Sequence, residues 1–373
     1  MNTFLMCFTA GECFLLSFLL FFHTFQQNLK ANKWLSLFVF IMGTAFIGVY
    51  LDQTGSGTRY HQLLKWINSL QFLLAPSLYI SILFFVTPTK FFKAVDWLHF
   101  LPFLGYAVAE NVFFFSKGTI ATRELFEIDN TIFLIRDLLP FQLLAYVVVS
   151  YALLIKHKAN LRFISSAIED INLNWLRNFL VILGLVAIFW INDAIFEAPL
   201  LLYITPFVYT FSVFFLAYFA LKQKNIYAFD KKDLEQISEV LDDNSKGQTD
   251  KQQRLSDEQL ARLSVQLDNL MINEKVFLDN EVSLPIVAGK LGIGIHDTSY
   301  LINQATGGNF YNFINKYRVE EAKKLLTSAK MDQLNILGIA FASGFNSKTA
   351  FNTAFKKWVG VSPTAYVKAN KNQ

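Results

Sequence analysis

The sequence predicts an all-α protein in which seven transmembrane helices precede a cytoplasmic helical domain with two helix-turn-helix motifs. Three observations predict this fold class. The mean hydropathy is +0.35, 17% of the 373 residues are charged against about 25% in ordinary soluble proteins, and both features vary along the chain. Residues 1–230 hold 33 of the 40 Phe, with 15 basic and 13 acidic groups. Residues 231–281 hold 7 basic and 12 acidic groups, and residues 282–373 hold 11 and 4.

The first predicted domain, residues 1–224, contains seven apolar segments, each long enough for a helix that crosses about 30 Å of hydrocarbon. The first segment is not preceded by Lys or Arg and is followed by six others, so we expect it to remain in the mature protein rather than to be cleaved as a signal peptide. The segments are residues 4–25, 34–51, 63–86, 95–115, 138–155, 179–196 and 200–221.

The basic residues between these segments predict the orientation in the membrane. With the N-terminus outside, the short loops on the cytoplasmic side contain eight Lys and Arg, and the opposite loops contain five. Because positive charge is retained inside, the sequence predicts an outer N-terminus and a cytoplasmic C-terminal domain. We expect the protein in the cytoplasmic (inner) membrane of a bacterium, with membrane lipid as one partner.

Two acidic residues fall within the predicted spans. Acidic groups at membrane depth usually face a bundle interior or water, so Glu12 and Glu110 are candidates for sensing an unknown signal ligand. The alternative is that both lie near enough to an interface to reach water. The many Phe residues fit a pocket for an apolar ligand and fit lipid-facing surfaces equally well.

The chain contains no pattern that predicts catalysis. Cys7 and Cys13 are six residues apart, which supports neither a disulfide framework nor a zinc site. A Ser/His/Asp grouping, a Gly-rich phosphate loop and a kinase signature are all missing, and the five His are scattered. We therefore expect a protein that is not an enzyme, with no cofactor and no metal site.

The second predicted region, residues 225–254, combines a juxtamembrane helix with a flexible linker. Leu234, Ile237, Val240 and Leu241 recur at helical spacing. This apolar stripe fits pairing with a second copy of the chain, and it fits packing on neighbouring elements of the same chain. The linker is predicted from Asp242 to Arg254, which contain no large apolar residue.

The third predicted domain, residues 255–373, contains a duplicated motif. Ser256 followed by Gln259 is a capping box that predicts the first helix of the domain. Ala288 and Gly292 recur at the same spacing as Ala340 and Gly344, which predicts helix-turn-helix units at about 283–306 and 335–359. Ser347 is the predicted N-cap of the last helix in the second unit, and the predicted buried stripe of that helix is Phe351, Phe355 and Trp358.

Residues 256–369 resemble the DNA-binding domain of the AraC/XylS transcriptional regulators. The resemblance rests on GFNSKTAFNTAFKKWVGVSPTAY and on LGIGIHDTSYLINQATGGNFYNFINKYRVEEAKKLL. It implies a domain with two helix-turn-helix units that binds double-stranded promoter DNA and regulates transcription, with RNA polymerase and a second copy of the chain as further candidate partners. The residues that it implies for base contact are His296, Ser299 and Tyr300 in the first unit and Lys348, Thr349, Asn352 and Thr353 in the second.

The first unit departs from the family pattern at two positions. Gly294 replaces the usual Ser at the helix N-cap, and Thr298 replaces a large apolar residue.

Together, the predicted membrane domain and the resemblance of the C-terminal domain lead us to expect that the chain couples a signal sensed in the membrane or outside the cell to promoter binding. The rival interpretations are a transporter or channel with a regulatory tail that does not bind DNA, and a scaffold whose degenerate first unit has lost DNA binding.

Overall fold

The computed structural model describes residues 3–22, 28–87, 92–115, 138–169, 171–195, 199–226, 229, 231–245, 254–328 and 333–371. Within these ranges the chain is all-α, and its only β-structure there is an isolated antiparallel bridge between Ser165 and Ser283. The chain forms two compact units. The first unit contains Met1–Ile155 and Leu173–Asn225, and the second contains Lys156–Asn172 and Ile226–Gln373.

Among the described residues, eight helices build the first compact unit or begin in it. A 3-10 helix, Ala94–Phe100, directly precedes α5. The helices are α1 (Thr3–Phe22), α2 (Leu29–Gln53), α3 (His61–Gln71), α4 (Leu74–Val86), α5 (Leu101–Phe115), α6 (Leu139–Ile164), α7 (Asn174–Ile195) and α8 (Pro199–Lys222).

Four of these helices are long and apolar enough to cross a membrane, namely α1, α2, α6 and α7. The pair α3 and α4 qualifies as a fifth span if its two parts, which are bent by 40°, are taken together. Two shorter apolar helices are also present, Ala94–Val108 and Phe207–Lys222. The described residues therefore contain four or five candidate spans, where the sequence pattern predicted seven.

Small and hydroxyl-bearing side chains bring helices of the first unit together. Ser17 on α1 and Ser36 on α2 lie with their Oγ atoms 3.0 Å apart, and Ser36 Oγ donates to the Ser17 carbonyl at 2.8 Å. A Cβ atom at Gly43 would lie 3.0 Å from Cε1 of Phe14, so α1 and α2 approach closely because residue 43 has no side chain. Close approach at small residues is the usual way in which apolar helices associate when no water drives them together.

The described part of the second compact unit contains eight further helices. A 3-10 helix, Val276–Leu278, lies between α10 and α11. The helices are α9 (Lys231–Ser245), α10 (Asp257–Ile272), α11 (Leu284–Leu291), α12 (Ile295–Thr306), α13 (Phe310–Leu326), α14 (Ile336–Ala342), α15 (Lys348–Val359) and α16 (Pro363–Lys371).

The boundaries of α9 and α10 test the predicted connector. The capping box of α10 is confirmed, because Ser256 Oγ accepts from Gln259 N and Gln259 Oε1 accepts from Ser256 N. The helix α9 continues to Ser245, so the first residues of the predicted linker are helical. The remainder of that linker, residues 246–253, lies outside the described residues.

Arg318 on α13 is fully buried in the second unit and holds several of its segments together. Its Nε donates to the Phe277 carbonyl at 2.8 Å and its Nη2 donates to the Asp279 carbonyl at 2.8 Å. Its guanidinium lies 5.7 Å from the centre of the Phe345 ring. Burial lowers the pKa of Arg318 to about 10, and the carbonyl partners compensate for the lost hydration of a group that remains charged at neutral pH.

Residues 156–172 belong to the second unit although they are distant from it in sequence. Ser166 Oγ donates to the Val282 carbonyl at 2.7 Å and accepts from Arg318 Nη2 at 3.0 Å. Arg162 also lies 5.9 Å from the centre of the Tyr311 ring. This earlier segment therefore completes the second compact unit.

Candidate nucleic-acid interface

The second helix-turn-helix unit consists of α14, a turn at Gly344, and α15. Asn335 caps α14 by accepting from Gly338 N at 2.8 Å, and Ser347 Oγ accepts from Ala350 N at 3.1 Å. The predicted Ser347 cap is thus confirmed. Gly344 has φ +88°, and a Cβ atom there would collide with the Phe277 carbonyl oxygen, so the turn requires glycine for its conformation and for space.

One face of α15 packs into the domain and the opposite face is exposed. Ala350, Phe351, Ala354 and Phe355 are buried. Trp358 was predicted to extend this stripe, but 42% of its surface is exposed, because the stripe ends at Phe355, which packs on Tyr366 of α16, and the helix ends at Gly360 with φ +86°. The exposed face contains Lys348, Thr349, Asn352, Thr353 and Lys356.

The four residues implied for base contact in this unit therefore share one accessible helix face. Lys348 is the first residue of α15, where the positive end of the helix dipole disfavours a cation and favours an anion. A lysine at this position is stabilised when a phosphate or a base acceptor approaches it. Violating a local preference in this way is typical of a functional position.

The first helix-turn-helix unit consists of α11, a turn at Gly292 with φ +68°, and α12. Gly294 provides no side-chain cap. Gln236 of α9 acts in its place, because its Oε1 accepts from the Ile295 N–H at 3.0 Å. Thr298 is fully buried and its hydroxyl donates to the Gly294 carbonyl at 3.0 Å, so this polar residue at a packing position has its hydrogen bond satisfied.

The three residues implied for base contact in the first unit are less accessible than those in the second. Ser299 is buried, with 8% of its surface exposed, and His296 and Tyr300 are half-buried. The helix α9 packs against α12. In the first turn of α12, Asp297 forms an ion pair with Arg254 at 3.3 Å.

The two units also differ in charge. The helix α12 contains Asp297 and no Lys or Arg, whereas α15 contains Lys348, Lys356 and Lys357 and no acidic residue. Lys357 has partners within the domain, because its Nζ donates to Asn312 Oδ1 at 2.7 Å and lies 5.6 Å from the centre of the Trp358 ring. Positive potential is therefore concentrated on the exposed face of α15, and DNA phosphates are attracted to such a face.

Sequence reasoning left Arg318 open between a packing role and phosphate contact, and it missed Gln236. Arg318 falls four residues after Ile314 and directly before Val319, both buried, and this position on the apolar face of α13 was a usable signal. Gln236 carried no such signal, since its contact with Ile295 joins residues 59 positions apart.

The two candidates for sensing a signal ligand, Glu12 and Glu110, lie in the first compact unit. Glu12 on α1 is partly buried, and both of its carboxylate oxygens lack a hydrogen-bond partner among the described residues. The side chain of Glu110 lies outside the described residues. An apolar cavity of about 190 Å³ lies elsewhere in the unit, and its lining includes Phe46, Leu143, Trp190 and Tyr209.

Comparison with known proteins assigns the C-terminal part of the chain. Residues 287–369 match the model of a family described as a helix-turn-helix domain, of AraC type. No curated protein and no solved structure matches the chain. The match includes α12 and the whole second helix-turn-helix unit. Residues 287–369 are therefore an AraC-type helix-turn-helix domain, which supports binding to double-stranded DNA and transcription regulation as the role of this part of the chain.

Proposed function

We propose that the protein is a membrane-anchored, sequence-specific transcriptional regulator that couples a signal sensed in the membrane or outside the cell to promoter binding. The observation that supports this proposal most strongly is the exposed, basic face of α15 within an AraC-type domain. The second helix of a helix-turn-helix unit enters the major groove and reads base edges with residues near its N-terminus. Lys348, Thr349, Asn352 and Thr353 occupy those positions and are accessible.

The proposed membrane arrangement has seven spans. Four long helices and the bent pair α3 and α4 supply up to five of these spans, and we assign the other two to the shorter apolar helices Ala94–Val108 and Phe207–Lys222. We propose that the N-terminus is outside and the second unit is cytoplasmic, because the basic loops alternate accordingly. Reporter fusions after Val86, Ile155 and Leu221 should all report the cytoplasm. A periplasmic signal after Leu221 would exclude a role in transcription.

The proposed signal site is in the first unit. Glu12 has buried carboxylate oxygens, and Glu110 is proposed with it from the sequence alone. The apolar cavity beside Trp190 is the alternative place for an apolar ligand, since small-molecule sites are concave and mostly apolar. Binding of a fluorescent fatty acid to the purified protein, with Glu12→Gln as the comparison, would distinguish the two sites.

The decisive experiment for DNA binding compares two lysines of the same helix. The full chain in nanodiscs is used to select duplexes from a random pool, and affinities for the selected sequence are then measured for Lys348→Ala and Lys357→Ala. Both substitutions remove one positive charge, but Lys357 is engaged with Asn312 and Trp358. We expect Lys348→Ala to weaken specific binding by about 1–3 kcal/mol and to relax preference at one base pair, and Lys357→Ala to change preference at none.

Two other outcomes would change the assignment. If Lys348 contacts only phosphate, Lys348→Ala should weaken binding to all sequences alike and reduce the salt slope by about 1. If Tyr300→Ala abolishes sequence preference while Lys348→Ala leaves it intact, the second helix-turn-helix unit is not the main source of base recognition. Failure to select any sequence would favour the scaffold or transporter interpretation.

A further inference from the structure

We propose that the outer face of α12 is an interaction surface with two mutually exclusive partners, the helix α9 of the same chain and DNA. This inference rests on the proposed function, because it requires that the domain binds DNA. It assigns α9 a partner, which the sequence pattern alone left open between a second copy of the chain and a neighbouring element.

The helix α9 is docked on the first helix-turn-helix unit. Three of the four residues of the apolar stripe of α9 are buried, with Ile237 0%, Val240 1% and Leu241 8% exposed, and Leu234 is half-buried. The helix α9 packs against α12. The side-chain oxygen of Gln236 accepts from Ile295 N, the first amide of α12, at 3.0 Å. Helix N-terminal amides are groups that bind DNA phosphates, so Gln236 occupies a position that a phosphate would otherwise take.

The duplication provides an internal comparison for the covered face. When α12 and α15 are aligned at their N-caps, Gly294 and Ser347, the first, second, fifth and sixth helical positions correspond. In α15 all four are exposed, and they are Lys348, Thr349, Asn352 and Thr353. In α12, Ile295 and Ser299 are buried, and His296 and Tyr300 are half-buried. The same four helix positions are therefore exposed in the second helix-turn-helix unit and covered in the first.

Charge supports the competition. Residues 231–245 contain two Lys and five Asp or Glu, a net charge of −3, beside a domain whose residues 282–373 carry +7. An acidic helix is attracted to a basic domain, which favours the docked position of α9. The chain runs from the end of α8 at Lys222 to the start of α9 at Lys231. Because this connection is short, a displacement of α8, the last apolar helix, can be transmitted to α9.

The test compares a variant that releases α9 with a control on the opposite face. The release variant combines Ile237→Asn with Val240→Asn, which makes the buried stripe polar without adding charge. The control combines Glu235→Gln with Glu239→Gln, two exposed positions of α9. Both are studied as full-length protein in nanodiscs, with a duplex selected from a random pool by the release variant.

We expect the release variant to bind at least tenfold more tightly than the wild type at 0.15 M salt, and the control to differ from the wild type by less than threefold. The hydroxyl-radical footprint of the release variant should extend by about one helical turn of DNA, since two linked units reach successive grooves about 34 Å apart. Equal affinities and equal footprints for wild type and release variant would overturn the competition while leaving the proposed function intact. A control that binds as tightly as the release variant would also overturn it, because charge alone would then explain the effect.

Hydrogen exchange on the wild-type protein gives a second test that does not depend on the folding of a variant. Saturation with the selected duplex should increase exchange of α9 amides while it decreases exchange of α15 amides. Protection of both helices in the complex would overturn the proposal. Failure of wild type and release variant alike to bind any duplex would instead contradict the proposed DNA-binding function itself.

Discussion

The two turn glycines provide a sharp test of how the domain is built. Gly292 and Gly344 occupy equivalent turns, and both have positive φ angles, +68° and +88°. A Cβ atom at Gly292 would meet nothing within 4 Å, whereas at Gly344 it would collide with the Phe277 carbonyl and lie 3.1 Å from Arg318 Nε. The same substitution should therefore have different costs at the two positions.

The expected magnitudes follow from this geometry. Alanine in a left-handed conformation costs about 1–2 kcal/mol, and this is the full cost expected for Gly292→Ala. Gly344→Ala adds overpacking against backbone, about 1–3 kcal/mol, which gives a total of about 2–5 kcal/mol. It also disturbs the 2.8 Å hydrogen bond from Arg318 to the Phe277 carbonyl, which favours the upper half of that range.

The assay is hydrogen exchange of the detergent-solubilised full-length protein, followed on peptides from α13, which forms part of the core of the second unit. Amides that exchange through opening of the whole unit report its stability. Exchange should become about 5–30 times faster for Gly292→Ala and about 30 times faster or more for Gly344→Ala. Equal acceleration by the two variants would refute the close contact between Gly344 and the Phe277–Leu278 backbone.

Three further predictions test other contacts. Arg318→Leu should lower the free energy of unfolding of the second unit by about 2–6 kcal/mol, because two buried carbonyl oxygens lose their donor; urea unfolding followed by the same exchange assay measures it, and a change below 1 kcal/mol would contradict the packing. Ser347→Ala should cost about 1 kcal/mol and Ser347→Gly a few tenths, so an equal loss for both would argue against a capping role. Gly43→Leu should lower the thermal unfolding temperature in detergent by crowding Phe14 at a cost of about 1–3 kcal/mol, whereas Gly11→Leu, which meets open space, should not.

The features that the sequence predicted correctly are those set by neighbouring residues. The Ser256 and Ser347 caps each depend on an amide three residues away, and the turn at Gly344 follows from the repeated spacing of Ala and Gly. Local patterns of this kind can be recognised in one sequence because the interacting groups are close along the chain. The exposed face of α15 followed from the same helical periodicity.

The features that could not be predicted depend on distant pairing. The docking of α9 on α12 joins segments about 60 residues apart, and nothing in the pattern of α12 indicates that its face is covered. The bend of 40° between α3 and α4 falls inside an apolar segment whose length alone predicted a single span. Trp358 was assigned to the core by its spacing, but the core ends one turn earlier, at Phe355, where α16 packs.

The hydrogen bond between Ser166 and Arg318 has a consequence for biosynthesis. The two residues are 152 positions apart, so at about 5–20 residues per second the ribosome adds Arg318 about 8–30 seconds after Ser166. During that interval the loop that contains Ser166 has no partner in the second compact unit, because the residues that surround it there have not yet been made. The second compact unit can complete its core only when its last helices join this earlier loop, and a separately expressed C-terminal fragment would have to fold without that loop.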